Sequence, residues 1–171
     1  MMRKTAAILG GGLLFAATSA SAGGYFGAAV GQSDVDLDGF DKGNSFSLLA
    51  GVRANENFAL EMAYIDLGDA EDDFAPVWTL EASGLAFSAV GIAPVSDVVD
   101  IYGKLGFFMW DVTLSEEGFG KIGGDDGNDL FFGVGASFKV ADPLRLAVEY
   151  QAFELDDTDV DNISLGLLYT F

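Results

Sequence analysis

Carboxylates are the one reactive group this chain holds in abundance: 27 Asp and Glu stand against 8 Lys and Arg, with no His and no Cys. Without those two residue types the usual Ser–His, Cys–His and Asp–His catalytic pairs cannot be assembled. A carboxylate pair could still act as acid and base, but no spacing singles one out, so the chain is not expected to be an enzyme. One acidic run has a recognisable form. Asp34-Val35-Asp36-Leu37-Asp38-Gly39 resembles the start of an EF-hand calcium loop, yet its twelfth position is Ser45 where a bidentate Glu belongs. Asp34, Asp36 and Asp38 are therefore candidates only for weak Ca²⁺ or Mg²⁺ binding, and a plain solvated loop explains them equally. No other cofactor is implied. Such acidity also argues against nucleic-acid binding, which needs a basic face.

The elements that carry these residues begin after a leader. Arg3 and Lys4 form a basic start, Ala6 to Ala17 an apolar stretch, and Ala20-Ser21-Ala22 an A-x-A cleavage site. This is the grammar of a secretory signal peptide over residues 1–22, leaving one domain over 23–171. No other stretch approaches the roughly 20 apolar residues of a membrane helix. Half of all residues are nonetheless hydrophobic, beside a formal net charge of -19. That combination suits a chain whose apolar side chains face lipid while its charges sit in water.

Period-two alternation recurs eight times, and side chains of a strand alternate between its two faces. The predicted strands are Tyr25–Gln32, Ser45–Arg53, Phe58–Ile65, Trp78–Ala93, Val99–Asp111, Leu130–Val140, Leu144–Gln151 and Asn162–Phe171. In the fifth, Ile101, Leu105, Phe107 and Met109 oppose Asp100, Tyr102, Lys104 and Gly106. In the last, Ile163, Leu165, Leu167, Tyr169 and Phe171 oppose Asn162, Ser164, Gly166 and Thr170, with Leu168 the one large apolar exception. The fourth is ambiguous. Leu85, Phe87 and Ala89 suggest an outer face, but Val90 and Ile92 have the other parity, and a one-residue slip would reverse the facing.

Connections alternate short and long. Asn55 to Asn57, Pro94 to Asp97 and Ala141 to Pro143 carry turn chemistry. Between them run Ser33 to Asn44, Gly68 to Val77, Ser115 to Asp129 and Glu154 to Asp161, which hold 18 of the 27 acidic residues against only Lys42 and Lys121. Short periplasmic turns alternating with long extracellular loops, on strands near the 9 to 11 residues of a crossing, describe a transmembrane barrel. The expected fold is all-β, an eight-stranded antiparallel up-and-down transmembrane β-barrel.

Several runs carry a family resemblance. Leu165, Leu167, Tyr169 and Phe171 resemble the C-terminal signal of bacterial outer-membrane barrels, which implies reading by the outer-membrane assembly machinery. Ile92-Ala93-Pro94-Val95-Ser96-Asp97, then Asp100-Ile101-Tyr102-Gly103-Lys104-Leu105-Gly106 and Trp110, look like the central hairpin of the outer-membrane protein A transmembrane domain and its eight-stranded relatives. Leu60 to Gly68 resembles their third strand and Val148-Glu149-Tyr150-Gln151 their seventh. The resemblance spans residues 23–171 and departs from the namesake in having no peptidoglycan-binding domain after Phe171. It implies a Gram-negative outer-membrane location among lipid and lipopolysaccharide, and an interior ion network at Glu61, Lys104 and Glu149. The family's Arg on the seventh strand aligns with Ala147, and Arg145 on the same face is expected to substitute for it. The resemblance speaks for fold and location rather than activity; the acidity of the long loops, which it does not explain, leads to the expected role of a monomeric structural or surface-interaction protein working through those loops. The alternative is a narrow, porin-like channel for small solutes.

Overall fold

A computed structural model describes residues 23–35, 42–71, 78–116, 120–155 and 158–171. The leader 1–22 and the loop residues Asp36 and Asp38 lie outside the described residues. Eight strands follow in order: β1 (Gly24–Val35), β2 (Gly43–Asn55), β3 (Phe58–Glu71), β4 (Trp78–Pro94), β5 (Val99–Glu116), β6 (Gly120–Ala141), β7 (Leu144–Leu155) and β8 (Thr158–Thr170). Each pairs antiparallel with its neighbour, and β1 pairs with β8 from Tyr25↔Thr170 to Val35↔Val160, closing the barrel. Closure gives every strand two partners, so no backbone edge is left bare in lipid, where an unpaired group costs several kcal/mol.

Period-two alternation decides the facing. On β5, Leu105 is 62 % exposed while Phe108 is fully buried. The outer wall carries at least one large apolar side chain on every strand, among them Phe26, Leu48, Leu60, Phe87, Leu105, Phe132, Val148 and Leu165. At the β1–β8 seam, Tyr169 stacks on Phe26 with ring centroids 5.2 Å apart, and Phe171 lies 6.3 Å from the same ring. Leu165, Leu167, Tyr169 and Phe171 thus form one outward stripe beside β1.

The ambiguous fourth strand resolves without a slip. Its pairing with β5 runs unbroken from Trp78↔Glu116 to Pro94↔Asp100. Leu85 and Phe87 face outward, while Val90 and Ile92 face inward and pack with Tyr25 and Ala59. Leu168 has the same explanation, since it lines the interior cavity.

The strands run further than the alternation suggested. Asp125, Asp126 and Asp129, expected in a long loop, lie on β6 opposite Val112, Asp111 and Phe108. Beyond the lipid both faces of a hairpin meet water, so the apolar alternation stops while the backbone ladder continues. At the opposite end the turns are as tight as expected, with Asn57 N–H donating to Asn55 Oδ1 at 2.8 Å and Val99 N–H to Ser96 Oγ at 3.1 Å.

Candidate functional site

Interior side chains form storeys, starting from the short-turn, periplasmic end. Lowest is an arginine–aspartate cluster. Asp100 Oδ2 accepts Arg145 Nη2 at 2.8 Å and, more loosely, Arg53 Nη2 at 3.5 Å. Arg145 also donates to Ser137 through Nε and Nη2, at 3.1 and 3.2 Å. This corrects the expectation that Arg145 joins Glu61, Lys104 and Glu149. Arg145 and Glu149 share a face of β7 but stand four residues apart, about 13 Å along a strand. The acid within its reach is Asp100.

Above it sits the charged triad. Lys104 Nζ lies 2.5 Å from Glu61 Oε1 and 2.8 Å from Glu149 Oε2, with all three side chains less than a tenth exposed. Each carboxylate has a tyrosine as well. Tyr25 hydroxyl donates to Glu61 Oε2 at 2.8 Å, and Tyr102 hydrogen-bonds Glu149. Both tyrosines lie over a glycine on the neighbouring strand, Tyr25 across Gly51 and Tyr102 across Gly135. A Cβ at either glycine would collide with the ring. The absent side chain is what lets each phenol lie flat against the wall and reach its carboxylate.

A neutral rung follows. Ser45 Oγ donates to Asn162 Oδ1 at 2.6 Å, and Asn162 Nδ2 donates to Gln151 Oε1 at 3.0 Å. Among the described residues no buried side-chain nitrogen or oxygen lacks a partner. That is the condition under which charges can be kept in a protein interior, since breaking one buried pair costs about 3 to 5 kcal/mol. Toward the extracellular end the interior turns apolar, with Phe153 in contact with both Phe108 and Phe131 and Ile65, Leu67 and Trp110 in the same buried cluster. Trp110 Nε1 donates to Asp129 Oδ2 at 2.7 Å.

The space left in the lower interior, bounded by the triad, its tyrosines, Asp100 and Arg145, amounts to about 50 Å³. That is room for a few waters. The arrangement immobilises charge, since each carboxylate is held by both the Lys104 ammonium and a tyrosine hydroxyl. Asp100, Arg53, Tyr25 and Tyr102 were not singled out from sequence. The pairing of Tyr with Gly at interior parity was the signal that could have found the tyrosines.

Outside, carboxylates collect just beyond the lipid-facing belt. Asp34 stands directly opposite Asp161, Asp111 opposite Asp126, and Glu154 opposite Asp159, all six exposed. Asp34 is paired with Lys42 at 2.7 Å, and Asp161 accepts the Tyr150 hydroxyl at 2.7 Å. No group of three or more Asp or Glu among the described residues is arranged to hold a metal ion.

A family model described as the outer membrane protein beta-barrel domain matches residues 5–171. The chain belongs to this family. It is an outer-membrane β-barrel, located in the bacterial outer membrane. Solved barrels of the same fold include Neisserial surface protein A, with a TM-score of 0.68, 18% identity, and coverage of 88% of this chain and 97% of that one. The attachment invasion locus protein Ail of Yersinia pestis gives 0.64 at 19% identity, over 87% and 98% of the two chains. OprG of Pseudomonas aeruginosa gives 0.55 at 13% identity, over 88% and 95%. Ail has also been crystallised with the heparin analogue sucrose octasulfate. At these identities the likeness concerns the fold. No curated protein sequence matches the chain.

Proposed function

We propose that this outer-membrane barrel is a closed, monomeric platform that works at the cell surface through the acidic segments at its extracellular end, without catalysis. The observation that carries this reading is the filled interior, where Lys104 is held between Glu61 and Glu149 and the cavity beside them has about 50 Å³, room for a few waters. An eight-stranded barrel has an interior just wide enough for its own side chains. A narrow channel requires these partners to separate. Conductance of the refolded protein in a planar bilayer tests the choice. The expected result is no unitary current, and resolved openings would establish the channel instead.

The nature of the surface partner follows from charge. Like charges directly opposite across a ladder destabilise it, and three such carboxylate pairs stand on the rim. Divalent cations, with their preference for oxygen ligands, would relieve that repulsion and bridge to lipopolysaccharide phosphates. Basic macromolecules would do the same. A polyanion such as the one crystallised with Ail is not what this rim attracts. In the same reading residues 1–22 export the chain, and Leu165, Leu167, Tyr169 and Phe171 present it to the assembly machinery.

A further inference from the structure

The three triad residues share a feature that the ion pairs do not explain. Glu61, Lys104 and Glu149 all lie on strands running toward the extracellular end, and four residues further along each strand stands a large apolar side chain: Ile65, Phe108 and Phe153. These are among the most buried side chains of the described residues, at 1%, 0% and 1% exposure. Four residues are about 13 Å of strand, so the apolar set forms a separate storey above the charged one. It is closed laterally by Phe131 from β6, Ala86 from β4 and Val160 from β8. Phe153 sits between the other two rings, 4.9 Å from Phe108 and 5.3 Å from Phe131.

We infer that the barrel carries two seals in series, the charged triad toward the periplasm and an apolar stopper toward the outside. The inference rests on the closed-barrel reading and deepens it. The two seals exclude ions by different physics. The triad fills the lumen with paired charge, and a rearrangement of its ion pairs would release it. The stopper's own side chains carry no charge, the Asp129 carboxylate opposite Phe108 being engaged by Trp110 Nε1 at 2.7 Å, and an ion entering among the rings would lose its water with little in return. Opening the triad therefore wets the lower interior from the periplasmic side only. It does not connect the two sides.

Conductance and proton flux into liposomes, measured on four barrels, test this. The native barrel should be silent, and if it conducts the closed-barrel reading fails. Glu61→Gln/Lys104→Met/Glu149→Gln, which keeps the shapes and removes the charges, should also be silent. Current through this variant beside a silent native barrel overturns the stopper and leaves the closed-barrel reading standing. Phe108→Ser/Phe153→Ser should be silent behind the intact triad, and current there shows that the triad is no seal. All five substitutions together should conduct. Silence in a barrel that keeps its heat-modifiable gel mobility places the second seal elsewhere and refutes the inference. Should that variant not fold, the neutral triad with Phe153→Ala alone replaces it. Proton flux several-fold above that of the neutral triad is then the expected result, and an unchanged flux refutes the inference.

Discussion

Replacing Lys104 with Met keeps most of the side-chain volume and removes the ammonium that two carboxylates share. Glu61 and Glu149 both touch that one nitrogen, at 2.5 and 2.8 Å. With it gone, two like charges no more than about 5 Å apart repel by roughly 3 kcal/mol at an effective dielectric near 20. Removing one partner from a buried ion pair costs about 3 to 5 kcal/mol in general, so the two routes to the number agree. Lys104→Met/Glu61→Gln abolishes the repulsion but leaves Glu149 unpaired, and should recover only part of the loss. Adding Glu149→Gln removes the last buried charge and should return the barrel close to native stability, because neutral replacements of buried ion networks are often tolerated. Urea unfolding of barrels folded into phospholipid vesicles, followed by tryptophan fluorescence and gel mobility, measures all three. If Lys104→Met unfolds within about 1 kcal/mol of native, the value of an exposed pair, the three side chains do not form the triad described.

Gly51→Val should push Tyr25 off Glu61 and lower stability by about 1 to 3 kcal/mol, as overpacking does; Gly91→Val, where a Cβ meets nothing within 4 Å, serves as the control in the same urea series. Leu105→Arg places a charge on the outward belt and should cost about 2 to 4 kcal/mol if it sits near mid-membrane, read as a lower unfolding midpoint in vesicles than for Thr113→Arg further up the same strand. Calorimetry with millimolar Ca²⁺ should show heat for the native barrel and less for the Asp34→Asn/Asp36→Asn/Asp38→Asn variant; no heat above dilution would mean the carboxylates serve solubility alone. Deleting Phe171 should reduce the folded outer-membrane fraction in cells far more than deleting Gly118, as judged by heat-modifiable mobility.

The barrel was legible because lipid enforces a strict rule on one face, and eight outward stripes survive in the sequence as period-two runs. The inward face obeys no such rule. It holds Glu61 and Lys104, but also Val90, Ile92, Phe108 and Phe153, since a filled lumen accepts whatever its opposite wall complements. Val90 and Ile92 therefore looked like a slip. Arg145 enters the expected network as a stand-in, on the same face, for the family's Arg at Ala147, and facing says nothing of height along the axis. Height came only with the register that sets Asp100 opposite Ser137 and Ser137 opposite Ala147 on the next strand. The ends of the strands were hidden for a related reason. Where both faces of a hairpin meet water, its sequence reads as a loop.

The hydrogen-bonded ladder of β5 and β6 reaches as far as Glu116↔Gly120. From Met109, the last large apolar residue on the outer face of β5, to Glu116 is seven residues. At about 3.3 Å each and a tilt near 40°, that is roughly 18 Å of paired backbone above the belt. A molecule approaching the cell meets a stiff post there, and its shape is set before contact. Binding to such a post loses little conformational entropy, so modest contacts can give useful affinity. On the proposed surface role, substitutions at its exposed described residues, such as Asp125 and Asp126, would retune binding without reorganising what lies beneath. By the same token, antibodies raised against a free peptide spanning Gly120 to Asp129 would meet a conformation the paired strand does not display.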